Sequence, residues 1–161
     1  MPKNYDFYCW CDGACEPKNP GGHMGMGSII KDRDMKPEFE HSEYRPPIIT
    51  NTNILAEYGA LYFVLKYLVD SKLFDMKILI QADLMLLVNQ MTMKRDIVDT
   101  GKQYQKVAII CKNMASQFSD INFKWIPREK NQECDDMSKK CLRERGIFES
   151  KWRKQSHEKI K

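Results

Sequence analysis

The sequence predicts an α/β fold, a five-stranded mixed sheet flanked by helices, with its elements in the order βββαβααβα. Three observations predict it. Aromatic and β-branched stretches divided by Gly- and Pro-rich turns fill residues 5–45, the pattern of consecutive antiparallel strands. Helical periodicity sets in only after Pro46 and Pro47. Beyond it strands and helices alternate, which implies parallel strands joined by helical crossovers. At ~100–200 residues per domain, a chain of 161 residues holds one sizeable core.

Tyr5 to Asp12 alternates as a strand, with Phe7, Cys9 and Cys11 on one face and Tyr8, Trp10 and Asp12 on the other. The strand is expected to end at Gly13. Glu16-Pro-Lys-Asn-Pro-Gly-Gly is dense in turn residues, and the next two strands fall at Met24 to Lys31 and about Phe39 to Arg45. Thr52 or Asn53 then caps a helix running to about Asp70, with Ile54, Leu61, Leu65 and Leu68 on its apolar stripe. Glu57 falls on the same face as Leu61, Val64, Leu65 and Leu68, so its carboxylate is aimed at the sheet and needs a partner. Met76 to Ala82 is short and nearly all apolar, as a central strand is, and Asp83 stands at its end. Helices follow at about Leu84 to Met91 and Asp99 to Phe118, then a strand from Ile121 to Ile126 and a last helix from about Glu133 to Glu144.

Composition excludes several classes of protein. Apolar residues make up 42% of the chain and charged residues 30%, which suits a globular domain rather than a disordered or fibrous one. Glu57 and Lys66 interrupt the richest apolar stretch, Ile54 to Val69, so no run reaches the ~18 residues of a membrane span. Met-Pro-Lys-Asn at the start lacks the apolar centre of a secretory signal, and an intracellular, cytoplasmic monomer is the expectation. Cys9, Cys11, Cys15, Cys111, Cys134 and Cys141 lack the spacing of a zinc site and read as reduced, buried thiols. The ten Met residues read mainly as core filling, and His23 and His41 as ordinary surface residues of the hairpin strands. The net charge of +4 is mild, but Gly146 to Lys161 carries five Lys or Arg against two Glu. Such a tail permits a polyanionic partner.

If the first and fourth strands lie parallel, their carboxyl ends meet where open α/β sheets bind ligands. Asp12 and Asp83 occupy those ends, Glu57 faces inward from the first helix, and Asp135 lies in the first turns of the last helix. Each alone reads equally as a surface charge or a helix cap. Together they would repel, and burial would sharpen the repulsion. Divalent ions would relieve both, and oxygen-only ligands suit Mg²⁺ or Mn²⁺. Two such ions ~3.5–4 Å apart serve in-line phosphoryl displacement.

Four segments resemble type 1 ribonuclease H. Tyr8-Cys-Trp-Cys-Asp-Gly-Ala-Cys, followed by Asn19-Pro-Gly-Gly-His-Met-Gly, is similar to that family's first-strand Asp-Gly-Ala/Ser motif and Gly-rich hairpin. Thr52-Asn-Ile-Leu-Ala-Glu resembles its Thr-Asn-Asn-x-Ala-Glu helix start, and Gln81-Ala-Asp-Leu-Met-Leu-Leu-Val its Asp-Ser-x-Leu-Val strand end. Trp125-Ile-Pro-Arg-Glu-Lys-Asn-Gln-Glu-Cys-Asp-Asp-Met resembles its Val-Pro-Arg-Glu-x-Asn-x-x-Ala-Asp-x-Leu. The segments occur in family order over residues 5–145.

The resemblance implies a ribonuclease H-like catalytic domain over residues 1–145 and a basic tail over 146–161. It places Asp12, Glu57, Asp83 and Asp135 as catalytic, metal-binding carboxylates for two Mg²⁺ ions, with Mn²⁺ as substitute. Asp136 is the alternative should the register slip by one. The implied reaction is endonucleolytic hydrolysis of the RNA strand of an RNA–DNA hybrid, leaving a 5′-phosphate and a 3′-hydroxyl. Recognition would rest on minor-groove shape, phosphates and the 2′-hydroxyl, through a turn at Gly13, Ala14 and Cys15, the Asn53 amide and Gln90. A silent nucleic-acid-binding module on the same fold is the competing reading, and retention of all four carboxylates argues against it.

The chain also departs from the family. Ile54 replaces an Asn, Leu84 replaces a Ser, and Pro127 to Gln132 lacks the His that well-known bacterial members carry before the last Asp. Glu129, Lys130 or His157 are candidates to stand in for it. The basic handle is reduced to Lys94, Arg95, Lys102 and Lys106. Trp10 and Trp125 read as core, while Trp152, among Lys151, Arg153, Lys154, Lys159 and Lys161, either stacks on a base or packs on the domain.

Overall fold

The computed structural model describes residues 4–147. Three antiparallel strands come first, β1 (Phe7–Glu16), β2 (His23–Asp32) and β3 (Pro37–Arg45). They are followed by α1 (Asn53–Asp70), β4 (Lys77–Ala82), α2 (Met85–Thr92), α3 (Gln103–Ala115), β5 (Asp120–Trp125) and α4 (Gln132–Arg143). The sheet order is β3-β2-β1-β4-β5. β1 pairs antiparallel with β2 and parallel with β4, and β4 pairs parallel with β5. This is the βββαβααβα mixed sheet that the residue pattern predicts, and no helix among the described residues is long and apolar enough to cross a membrane.

The parallel pairing of β1 with β4 runs from Phe7↔Ile78 to Trp10↔Gln81. Two residues further along each chain come Asp12 and Asp83, so both strands deliver a carboxylate to the end where they part. The core lies between the sheet and α1, where Cys9, Cys11, Ile30, Leu61, Leu65, Ile78 and Ile80 are fully buried. All six cysteines are free and buried, as their spacing predicts. Thr52 caps α1, its Oγ1 accepting from Leu55 N at 3.0 Å. Just before it, buried Asn51 donates through Nδ2 to the carbonyls of Gly22 and Pro46, both at 2.9 Å, which fastens the β1–β2 hairpin to the helix start.

Two of the boundaries that differ from expectation have a clear physical cause. β1 does not end at Gly13 but continues to Glu16, paired residue for residue with Met26 to His23, so Gly13, Ala14 and Cys15 form strand rather than turn. Glycine is needed here for close approach: a side chain at Gly13 would collide with the backbone of Ala56 and Glu57. α3 begins at Gln103 rather than Asp99, because the Asp99 side chain accepts from Gly101 N at 2.9 Å and Gly101 adopts φ 96°, a turn that closes before the helix opens. Trp125 is also not core. It is 42% exposed, and its indole donates to the Asp83 carbonyl at 3.1 Å.

Opposite α1, the other face of the sheet carries α4. A Cβ at Gly27 would lie 2.6 Å from the Cys134 carbonyl, and one at Gly25 would collide with that of Ser138. The two glycines let α4 rest directly on β2. Since Gly27 is the cross-strand partner of Asp12, the contact also fixes the distance from Asp135 to β1.

Candidate active site

Asp12, Glu57 and Asp83 converge. One carboxylate oxygen from each lies within 4.8 Å of the others. Three devices of the fold bring them there: parallel strand ends for Asp12 and Asp83, the inward face of α1 for Glu57, and the bare backbone at Gly13 that lets the Glu57 turn press against β1. Asp12 is 4% exposed and Glu57 6%. Asp12 Oδ1 accepts from Gly13 N at 3.0 Å, but Glu57 Oε2 is buried with no hydrogen-bond partner.

The electrostatic consequence is large. Burial, then the charges of Asp83 and Asp135, pushes the Asp12 carboxyl up from 3.8 to about 8, although its hydrogen bond with Glu57 opposes this. Burial and the neighbouring Asp12 raise Glu57 well above the usual carboxylate range. Burial raises Asp83 as well, against the opposing Asn131 hydrogen bond and the Arg128 charge. Without a counter-charge, this cluster resists full ionisation.

Asp135 reaches the cluster from α4, and its side chain interacts with that of Asp12. It is buried while Asp136 is exposed, so the helix turns the first of the two acids inward. Its Oδ1 accepts from Arg128 Nη2 and its Oδ2 from Lys139 Nζ, each at 3.3 Å. Burial would raise its carboxyl, but Lys139, the hydrogen bond with Asp12 and Arg128 outweigh that and hold it below the ordinary value.

The residues expected to touch substrate fall in three places. Gly13 lies under α1. Ala14 is buried against Cys141 and Leu142, and the Cys15 thiol is buried and donates to the Lys18 carbonyl at 3.4 Å. Asn53, at the start of α1, is half-buried, accepting from Asn19 Nδ2 at 2.8 Å and donating through its backbone N to Asn19 Oδ1 at 3.2 Å. Gln90 lies on α2 and accepts from the Tyr58 hydroxyl. Trp152, His157 and the basic residues 151–161 lie outside the described residues.

Sequence reasoning missed two contributors. Asn131 is 1% exposed; its Nδ2 donates to the Cys11 carbonyl at 3.0 Å and to Asp83 Oδ2 at 3.2 Å, tying the loop before α4 to both strand ends. Its signal was its place in the Asn-Gln-Glu-Cys-Asp segment. Lys139 sits four residues after Asp135, the spacing at which helical side chains meet.

Buried carboxylates gathered around an oxygen that lacks any donor fit a hard divalent cation. All donors are oxygen, and no His or thiolate joins them among the described residues, which does not suit zinc. Asp12, Glu57 and Asp83 are the residues that would hold such an ion, with Asp135 beside them.

A mixed sheet with acids at its parallel strand ends and α4 on its far face defines a ribonuclease H-like protein. A family model described as Reverse transcriptase-like matches residues 11–141. Solved structures agree: ribonuclease H1 from the halophilic archaeon Halobacterium salinarum has a TM-score of 0.71 and 22% identity, over 86% of this chain and 98% of that one. The N-terminal ribonuclease H domain of a Mycobacterium tuberculosis protein gives 0.72 and 25%, over 86% and 94%. LC11 ribonuclease H1, solved in complex with an RNA/DNA hybrid, gives 0.67 and 28%, over 84% and 99%. The chain belongs to the Reverse transcriptase-like family and, within it, is a type 1 ribonuclease H.

Proposed function

We propose that the protein hydrolyses the RNA strand of RNA–DNA hybrids internally, leaving 5′-phosphate and 3′-hydroxyl ends. The observation that carries the reading is the convergence of buried Asp12 and Glu57 with half-buried Asp83, with one Glu57 oxygen left without a donor. The solved complex of the LC11 relative with a hybrid supports the choice of substrate. Two Mg²⁺ ions, with Mn²⁺ as substitute, would supply activation of a water and charge stabilisation at the leaving oxygen.

The chain's own residues prepare that chemistry. Asp12, Glu57, Asp83 and Asp135 set carboxylate oxygens where β1 and β4 part, and the fold fixes those oxygens there before substrate arrives. Asn131 orients Asp83 through one amide hydrogen while anchoring to β1 through Cys11. In the reaction a water oxygen bonds to phosphorus as the P–O3′ bond breaks, and the departing O3′ gains a proton. The start of α1, where Asn53 and Asn19 hold each other, borders the same strand ends. It presents amides to the minor groove, where the 2′-hydroxyl distinguishes RNA from DNA. Gln90 on α2 is a second contact point for the hybrid.

The test is an assay of end-labelled RNA–DNA hybrid, double-stranded RNA and single-stranded RNA, with Mg²⁺, Mn²⁺ or a chelator. Internal cuts in the RNA of the hybrid alone, abolished by the chelator and by Asp12→Asn or Asp83→Asn, are expected. Binding of hybrid without cleavage in either metal would refute the proposal and identify a silent binding module. Cutting by both variants at the parent's rate would remove the carboxylates from the chemistry.

A further inference from the structure

Asp135 touches Asp12 but is held differently from the other three acids. Its oxygens are not in the 4.8 Å group of Asp12, Glu57 and Asp83; they face Arg128 and Lys139, each at 3.3 Å. The two cations differ in exposure. The Arg128 side chain is 46% exposed, whereas that of Lys139 is only 9% exposed. Lys139 follows Asp135 by one helical turn, the acid N-terminal to the base, which is the favourable order on a helix. An ammonium withdrawn from water is costly unless a carboxylate answers it, so each holds the other in place.

We propose that Lys139 is a resident counter-ion that competes with the divalent cation for Asp135, and so sets the metal concentration at which the site fills. The inference rests on the metal-dependent reading above. A cation shared by Asp12 and Asp135 would have to approach within a few ångströms of the Lys139 ammonium. In a pocket shielded from water, that repulsion exceeds thermal energy. Before metal arrives, Lys139 supplies part of the positive charge the acids need. Afterwards it opposes the ion. Lys139 is therefore a positioning residue acting through Asp135.

The experiment titrates the full-length protein with Mn²⁺ in the absence of nucleic acid, by calorimetry and by the rise in unfolding temperature. Lys139→Met keeps the aliphatic stem and removes the charge; Lys139→Arg keeps the charge. The binding midpoint should fall at least ~10-fold in Lys139→Met, a gain of ~1.4 kcal/mol, and stay near the parent's in Lys139→Arg. In an Asp135→Asn background, Lys139→Met should lower the midpoint by less than it does in the parent, since Lys139 also acts on Asp83. An unchanged midpoint in Lys139→Met, or an equal fall in Lys139→Arg, would overturn the proposal, and Lys139→Gln is titrated by the same criterion if the Met variant does not fold. Failure of the parent to bind Mn²⁺ would overturn both this inference and the metal-dependent reading. Binding that Asp12→Asn abolishes and Lys139→Met leaves unmoved would overturn this one alone.

Discussion

Replacing Asp12 by Asn should stabilise the metal-free protein at alkaline pH while destroying cleavage. The folded Asp12 carboxyl is pushed up to about 8, chiefly by burial and then by Asp83 and Asp135, whereas in the unfolded chain it returns to 3.8. Between those values the folded state keeps a proton that the unfolded state has released. The stabilisation is thus fully present below the unfolded value and disappears as pH rises through the folded one. At ~1.4 kcal/mol per pH unit, the loss from about pH 5 to about pH 8 is on the order of 4 kcal/mol. Glu57 and Asp83, also raised, act in the same direction. Asp135, held low by Lys139 and Arg128, has the opposite sign, but its contribution is lost only as pH falls below 3.8, outside this window.

Asn is close to isosteric with Asp, cannot ionise, and its Oδ1 still accepts from Gly13 N. Its curve of stability against pH should therefore be flatter than the parent's, crossing it so that the variant is the more stable protein at pH 8. Urea unfolding followed by circular dichroism, with excess chelator at several pH values, measures this directly. Excess Mg²⁺ should restore the parent by ~2.7 kcal/mol at a hundredfold excess over its dissociation constant, and leave the variant unmoved. Parallel curves for the two proteins in chelator would show that Asp12 is ionised without strain in the metal-free fold, and the electrostatic account of the site would fail.

Gly27→Ala places a methyl 2.6 Å from the Cys134 carbonyl and should destabilise the fold by ~1–3 kcal/mol. Because α4 carries Asp135, cleavage should fall further than stability predicts, which urea unfolding beside a rate measurement will show. Asn131→Ala removes the donor to Cys11 and Asp83; a loss of ~1–3 kcal/mol is expected, with kcat reduced more than KM changes. Removal of residues 146–161 should weaken hybrid binding and make log K less steep against log salt, and an unaltered slope in a binding titration would exclude the tail from phosphate contact.

Most of the fold was legible because it depends on local period. Alternation marked β1 to β3, Pro46 and Pro47 marked the change of architecture, and the spacing of Glu57 with Leu61, Val64, Leu65 and Leu68 turned that carboxylate inward. What stayed hidden depends on which element packs where. The chain reads Gly13 as a stop, since glycine ends strands more often than it extends them. Only when α1 lies across β1 does its missing side chain become a reason for the strand to continue. Trp125 reads as core because strands bury aromatics, yet β5 is the sheet edge and its last residue is left exposed there.

The candidate site divides along the same line. Its acids could be found one by one, because Asp12 precedes the Gly13 signal, Asp83 follows an apolar strand and Asp135 follows a recognisable segment. Their energetics could not, because 3.8 becomes about 8 only once α1 and α4 shut water out from both faces. Here the requirements of folding and of chemistry oppose each other. Glycines at 13, 25 and 27 let the helices close tightly, and that closeness concentrates the repulsion the bare fold must bear. A looser packing would ease the repulsion and also spread the carboxylate oxygens beyond the 4.8 Å that allows three of them to share one ion. The site is therefore strained in the metal-free protein for the same reason that it is suited to a metal.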